Sequence, residues 1–143
     1  LESRFLFADE ARVVTFRLTG ARLRALLEHG VADGSLGAGP FLQVSGVSFT
    51  FDPSRPTGDR ITGPLTRPGG GTIAPGDTVS VAFDVYPACE GGDGYQVPEA
   101  KSACASWETA PRGADLLARY VTGTLGGQIA PPAPGRIRRA GGS

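Results

Sequence analysis

The segment Gly91-Gly92-Asp93-Gly94-Tyr95 gathers residue types suited to ligand binding, and Tyr86 lies a short way ahead of it. Three glycines around one carboxylate let the backbone take positive φ and let a ligand approach closely. A carboxylate offers two acceptor oxygens, which suits a hydroxylated ligand, and aromatic rings on either side suit a flat one. The segment supplies no paired acid and base. The single histidine, His29, sits beside Glu28 on a predicted helix and reads as a surface or capping residue. The chemistry to expect is therefore holding a ligand, not cleaving a bond.

The elements that must position this loop follow from periodicity. Thr78 to Tyr86 alternates, with Val79, Val81, Phe83 and Val85 on one face, and predicts a strand running into the loop. Val13 to Leu18 predicts another strand, with Thr19 as a helix cap. Leu23, Leu26, Leu27 and Val31 recur at helical spacing over residues 21–31. Phe41–Ser45 and Val47–Phe51 predict a strand pair bent at Gly46, and Arg60-Ile61 opens a further extended piece. Asp52 to Asp59, Pro68 to Gly71 and Pro75-Gly76-Asp77 carry turn chemistry. After the loop, Thr109 precedes a second predicted helix with Pro111 in its first turn and an apolar stripe of Leu116, Leu117, Tyr120, Val121 and Leu125. Trp107 reads as a packing residue just ahead of that helix. Gly135 to Arg138 predicts a last short strand, and residues 140–143 a disordered tail. The order suits an α+β domain over residues 1–139, a mixed β-sheet packed with two main helices.

Bulk properties narrow the function class. The 143 residues are 40% hydrophobic and 20% charged, which is ordinary for one globular domain with a packed core. Lys+Arg and Asp+Glu number 14 each, so no overall field favours nucleic acid as a partner. No apolar run approaches the roughly 20 residues of a membrane span. Leu1 is preceded by no initiator methionine or leader pattern, and the sequence is expected to be part of a longer chain. Cys89 and Cys104 bracket the glycine loop. They are either free thiols of a cytosolic protein or a bridge in an exported one, and their placement around a Gly-rich segment favours the bridge. Two cysteines and a distant histidine do not make a metal ligand set.

Taken together, several of these segments resemble one family. Phe41 to Gly46, Asp52, Gly58-Asp59-Arg60 and Gly91 to Tyr95 resemble the C-terminal domain of the 5′-nucleotidase family. Leu18-Thr19-Gly20, leading into Leu27 to Val31, is similar to its first strand and helix. The likeness runs from about Phe5 to Ile137. It implies a secreted, extracellular or periplasmic hydrolase of nucleotide catabolism. In that arrangement an N-terminal metallophosphoesterase domain with two divalent metals cleaves the ester, and the C-terminal domain binds the nucleoside or nucleotide. This chain carries none of the metal-binding motifs and is expected to hold no cofactor and no catalytic residue of its own.

The resemblance also assigns site residues. Asp93, within Gly91, Gly92, Gly94 and Tyr95, matches the aspartate that accepts hydrogen bonds from ribose hydroxyls. Phe7 matches the first of two rings that sandwich the base. The family places the second ring six positions before the aspartate, where this chain has Pro87, and the neighbouring Tyr86 is the candidate to replace it. The bland roles are an aspartate capping its own turn, and packing for Phe7, Tyr86 and Tyr95. The alternative function is a non-enzymatic extracellular module that keeps the fold without the base clamp.

Overall fold

The computed structural model describes residues 11–131 and 135–141. Phe7 lies outside these residues. Among them the chain forms two compact units, one from 11–17 and 80–131, the other from 18–79 and 135–141. Two strands, β1 (Val13–Thr19) and β5 (Thr78–Asp84), pair as a two-stranded sheet, and the division between units falls within both. The predicted strand β1 is observed, and its side chains alternate, with Val14, Phe16 and Leu18 buried.

In the second unit the chain passes from Thr19 straight into helix α1 (Gly20–Gly30). The Thr19 hydroxyl accepts the Arg22 N–H at 3.2 Å, the N-cap bond expected of that residue type. The start of α1 is tied further by Gly20 N–H to the Asp77 carbonyl at 2.8 Å and Ala21 N–H to the Pro75 carbonyl at 2.9 Å. Gly20 is required by space: a Cβ there would lie 2.1 Å from the Ala74 carbonyl oxygen.

Helix α1 packs on a four-stranded mixed sheet of order β4-β3-β2-β6, formed by β2 (Ser48–Phe51), β3 (Ile61–Thr66), β4 (Thr72–Ile73) and β6 (Ile137–Arg139). Pairing is antiparallel for β2 with β3 and β3 with β4, and parallel for β2 with β6. The core gathers Leu27 and Val31 of α1 and its C-cap with Val47, Phe49, Phe51, Ile61, Leu65 and Ile73. Phe51 is fully buried, and a ring of that size contributes roughly 3 kcal/mol by leaving water.

The strand predicted over Phe41–Ser45 is not formed. Both edges of β2 are already taken, by β3 and β6, so this segment cannot form the predicted pair with it. Its apolar side chains Phe41, Leu42 and Val44 still pack on the core, with the Phe41 ring 6.3 Å from that of Phe51. Gly46, at φ 80°, makes the predicted bend. The apolar content was a packing signal, not a strand signal.

The first unit holds β1 and β5 up to the division and then a run of short helices: α2 (Val85–Cys89), α3 (Lys101–Cys104) and α4 (Gly113–Gly123). Its buried residues include Val14, Phe16, Val85, Ala88, Tyr95, Val97, Ala100 and Val121. Ala11 to Val13 lies antiparallel to Pro111 to Gly113, through Val13 N–H to the Pro111 carbonyl and Gly113 N–H to the Ala11 carbonyl. That contact sets where α4 begins. Pro111 precedes the helix instead of lying in its first turn. The buried stripe is also narrower than the sequence suggests. Ala114, Leu117 and Val121 turn inward, while Leu116, Tyr120 and Leu125 are exposed on the flank. Trp107 is half-buried on a 3-10 turn ahead of α4. Mixed strands with two main eleven-residue helices make the architecture α+β, as predicted.

Candidate functional site

The glycine loop and Tyr86 are brought together in the first unit. The strand predicted through Tyr86 ends two residues sooner, at Asp84. The Asp84 carboxylate accepts the Tyr86 N–H at 2.8 Å and caps α2. Pro87, in the first turn of α2, lacks the N–H that a ladder would need but that a first helical turn does not. Asp84 and Pro87 therefore convert a strand into a helix at this point.

Pro87 is buried, whereas Tyr86 keeps 52% of its surface exposed. Both positions continue the alternation of β5: Tyr86 falls on the exposed side, and Pro87 on the buried side with Val85. Tyr86 is thus the ring available to a ligand from this element, and position 87 is a packing position.

Beyond Cys89 the loop coils tightly. Gly91, Asp93 and Gly94 all have positive φ, at 71°, 55° and 79°. Asp93 is the sole described non-glycine residue in that region, a conformation that costs an L-residue about 1 kcal/mol and that Asp tolerates better than most. The coil closes through Gly94 N–H to the Gly91 carbonyl at 3.1 Å and Tyr95 N–H to the Gly92 carbonyl at 3.2 Å. Asp93 is exposed, and the buried Tyr95 locks the base of the loop with its ring edge-on to Phe83, 5.7 Å between centroids at 88°. Burial, and then the Asp93 charge, raise the Tyr95 phenol well above its ordinary value. Tyr95 anchors the loop and does not face out of it.

Gly92 meets Tyr86 directly. A Cβ at Gly92 would fall 2.3–2.4 Å from ring atoms Cε1, Cδ1 and Cζ of Tyr86. Cys89 and Cys104 form a disulfide, with Cα atoms 5.5 Å apart, that joins the end of α2 to the end of α3 around the loop. Among the described residues no group of three or more His, Cys, Asp or Glu gathers as a metal site.

Other segments of the resemblance prove to be scaffold of the second unit. Asp52 accepts the Ser54 N–H at 2.9 Å and the Ser54 hydroxyl at 2.6 Å. Those bonds, the hydroxyl foremost, hold its carboxyl below the usual range, with Arg55 adding to them. Arg55 pairs with Asp59 across the same turn. Arg60 donates to the Val31 carbonyl at 2.8 Å, closing the C-terminus of α1. Sequence reasoning missed Glu28, which is 8% exposed. Its Oε2 accepts the Arg60 N–H at 2.9 Å and its Oε1 the Ile61 N–H at 2.8 Å. No local pattern marks such a residue, because both donors are backbone groups more than thirty positions away.

The fold agrees with comparison to known proteins. The sequence model described as 5′-nucleotidase, C-terminal domain, matches residues 6–100, and the chain belongs to that family. It is 32% identical over 130 residues to the trifunctional nucleotide phosphoesterase protein YfkN of Bacillus subtilis, covering 85% of this chain and 8% of that protein. Among solved structures it resembles a 5′-nucleotidase precursor from Thermus thermophilus, with TM-score 0.74 and 26% identity over 94% of this chain and 26% of that one. The fold recurs in the Thermus thermophilus sulfate thiohydrolase SoxB, at TM-score 0.63 and 21% identity, covering 92% of this chain and 23% of that one. The chain thus spans a small fraction of the length of each relative. No described helix is long and apolar enough to cross a membrane.

Proposed function

We propose that this chain is the substrate-recognition domain of an exported 5′-nucleotidase-type phosphoesterase, binding the nucleoside part of the substrate. The observation that carries the reading is the pairing, in one short segment, of the exposed Tyr86 ring with the exposed Asp93 carboxylate on a tightly coiled loop. Tyr86 offers a face on which a purine or pyrimidine stacks. Asp93 offers two acceptor oxygens to the two hydroxyls of a ribose. Phe7 is proposed as a second ring. The disulfide supports an oxidising, extracellular or periplasmic location.

Bond cleavage is assigned to a separate N-terminal metallophosphoesterase domain, where two divalent metals would polarise the phosphate and supply the attacking hydroxide. This chain binds and orients. Stacking on one ring is worth on the order of 1–3 kcal/mol, so the isolated chain binds weakly.

The test is an adenosine titration of the chain followed by calorimetry and by tyrosine and tryptophan fluorescence. Saturation in the millimolar range is expected, lost in Asp93→Asn, which keeps the shape and the left-handed backbone while removing the charge. Absence of saturation in the wild type, or equal binding by Asp93→Asn, refutes the reading.

A further inference from the structure

Gly92 differs from the glycines on either side of it. Gly91 and Gly94 have positive φ, where any side chain is strained. Gly92 does not, so its backbone would accept alanine. What meets a side chain there first is the Tyr86 ring, at 2.3–2.4 Å from the site of a Cβ. Nearly equal distances to three adjacent ring atoms are met only by a point over the ring face, not at its edge. Gly92 therefore lies against one face of Tyr86, and the residue's 52% exposure belongs to the remainder.

The backbone that carries the ring is held on both sides. Its own N–H is held by Asp84, the next residue, Pro87, is buried, and Cys89 at the end of α2 is bonded to Cys104. A methyl group at position 92 must push the ring into another rotamer or distort the loop. We infer that Gly92 is a positioning residue for nucleoside binding: its missing side chain seats Tyr86 face-down on the loop and leaves one open face as a single-sided stacking platform beside Asp93. The inference rests on the nucleoside reading above. It adds that the platform takes one planar base, on one side, and that the position fixing it never touches the ligand.

Two measurements on the whole chain test this. In the NMR spectrum the Gly92 amide and α protons are expected upfield, shielded by the Tyr86 ring, and to return to ordinary positions in Tyr86→Leu. In adenosine titrations by calorimetry, Gly92→Ala and Tyr86→Leu are each expected to weaken binding about tenfold, the loss of one partly exposed stacking contact. The double variant is expected to be no weaker than either alone, because both remove the same platform. Unshielded Gly92 protons in the wild type overturn the inference. So does wild-type affinity in Gly92→Ala when Tyr86→Leu has lost it, or full additivity in the double variant. These outcomes leave the nucleoside reading standing, whereas a wild type that does not bind adenosine removes both. Unchanged thermal unfolding of Gly92→Ala alongside weakened binding separates a positioning role from a merely structural one.

Discussion

Replacing Glu28 by glutamine changes one atom and tests whether a single carboxylate holds α1 to the first residues of β3. The native side chain accepts two backbone N–H groups at once, from the half-buried Arg60 and the buried Ile61. Glutamine retains one carbonyl oxygen, which will go to the more deeply buried Ile61 donor. Its amide nitrogen then faces the Arg60 N–H, donor against donor. A charge-assisted bond contributes about 1.5–3 kcal/mol, and an abandoned buried donor costs about 1–3 kcal/mol. Against this, removing a negative charge from the last turn of α1 relieves about 0.3–1 kcal/mol of unfavourable interaction with the helix dipole. The balance for Glu28→Gln is a loss of about 1–2 kcal/mol. Glu28→Ala strands both donors and opens a small void, for a loss of about 3–4 kcal/mol. Urea unfolding at pH 7, followed by far-ultraviolet circular dichroism, reads both values. If each variant unfolds within about 0.5 kcal/mol of the wild type, as an ordinary surface substitution does, the clamp contributes nothing and the reasoning is wrong.

Four further outcomes are expected elsewhere in the chain. Cys89→Ser/Cys104→Ser, or reduction of the wild type, should cost about 3 kcal/mol by releasing a loop of this size in the unfolded chain, measured as a lower urea midpoint. Tyr95 has a folded-state pKa raised above its ordinary 10.0, so the stability it carries is present below pH 10 and is lost as the pH rises beyond it. Alkaline unfolding should therefore begin above pH 10, and Tyr95→Phe should delay it. Asp77 has the opposite shift, lowered chiefly by the Arg67 hydrogen bond and next by the Ala74 N–H. Its contribution is present above its ordinary 3.8 and disappears as the pH falls below that, so Asp77→Asn should flatten the acid limb of a melting-temperature profile. Gly20→Ala should lower the urea midpoint by the equivalent of about 2 kcal/mol or more, because the Ala74 carbonyl leaves no room for a methyl group.

Much of this architecture was legible because it is written in period and punctuation. The β-branched and aromatic run from Val13 to Leu18, helical spacing from Leu23 to Val31 and the cap at Thr19 each specify an element from its own residues. The misreadings arose where a distant partner decides the outcome. Phe41, Leu42 and Val44 look like a strand, but both edges of β2 were already occupied. The alternation through Val85 outweighed a local signal that was present, an Asp followed three residues later by Pro, which together start a helix. At the site, the glycines predicted the coil of the loop and Tyr86 was found beside Pro87. That Pro87 turns inward and Tyr86 outward follows the alternation through Val85, whereas the helix that carries them does not. Glu28 was invisible for the reason that makes it useful: its partners are backbone groups, which carry no residue type.

The strand β6 carries a consequence for how the chain is made. It is the last element in the sequence, yet it lies beside β2 in the sheet, with Phe49 N–H bonded to the Arg136 carbonyl and Ala140 N–H to the Phe51 carbonyl. Its companions β2, β3 and β4 all precede the entire run from α2 to α4. A ribosome therefore releases most of this sheet well before the strand that completes it. Until then one side of β2 is an open edge, able to pair with any extended segment nearby. Synthesis order supplies residues 137–139 after the rest of this sheet, and their delay exposes the nascent chain to aggregation.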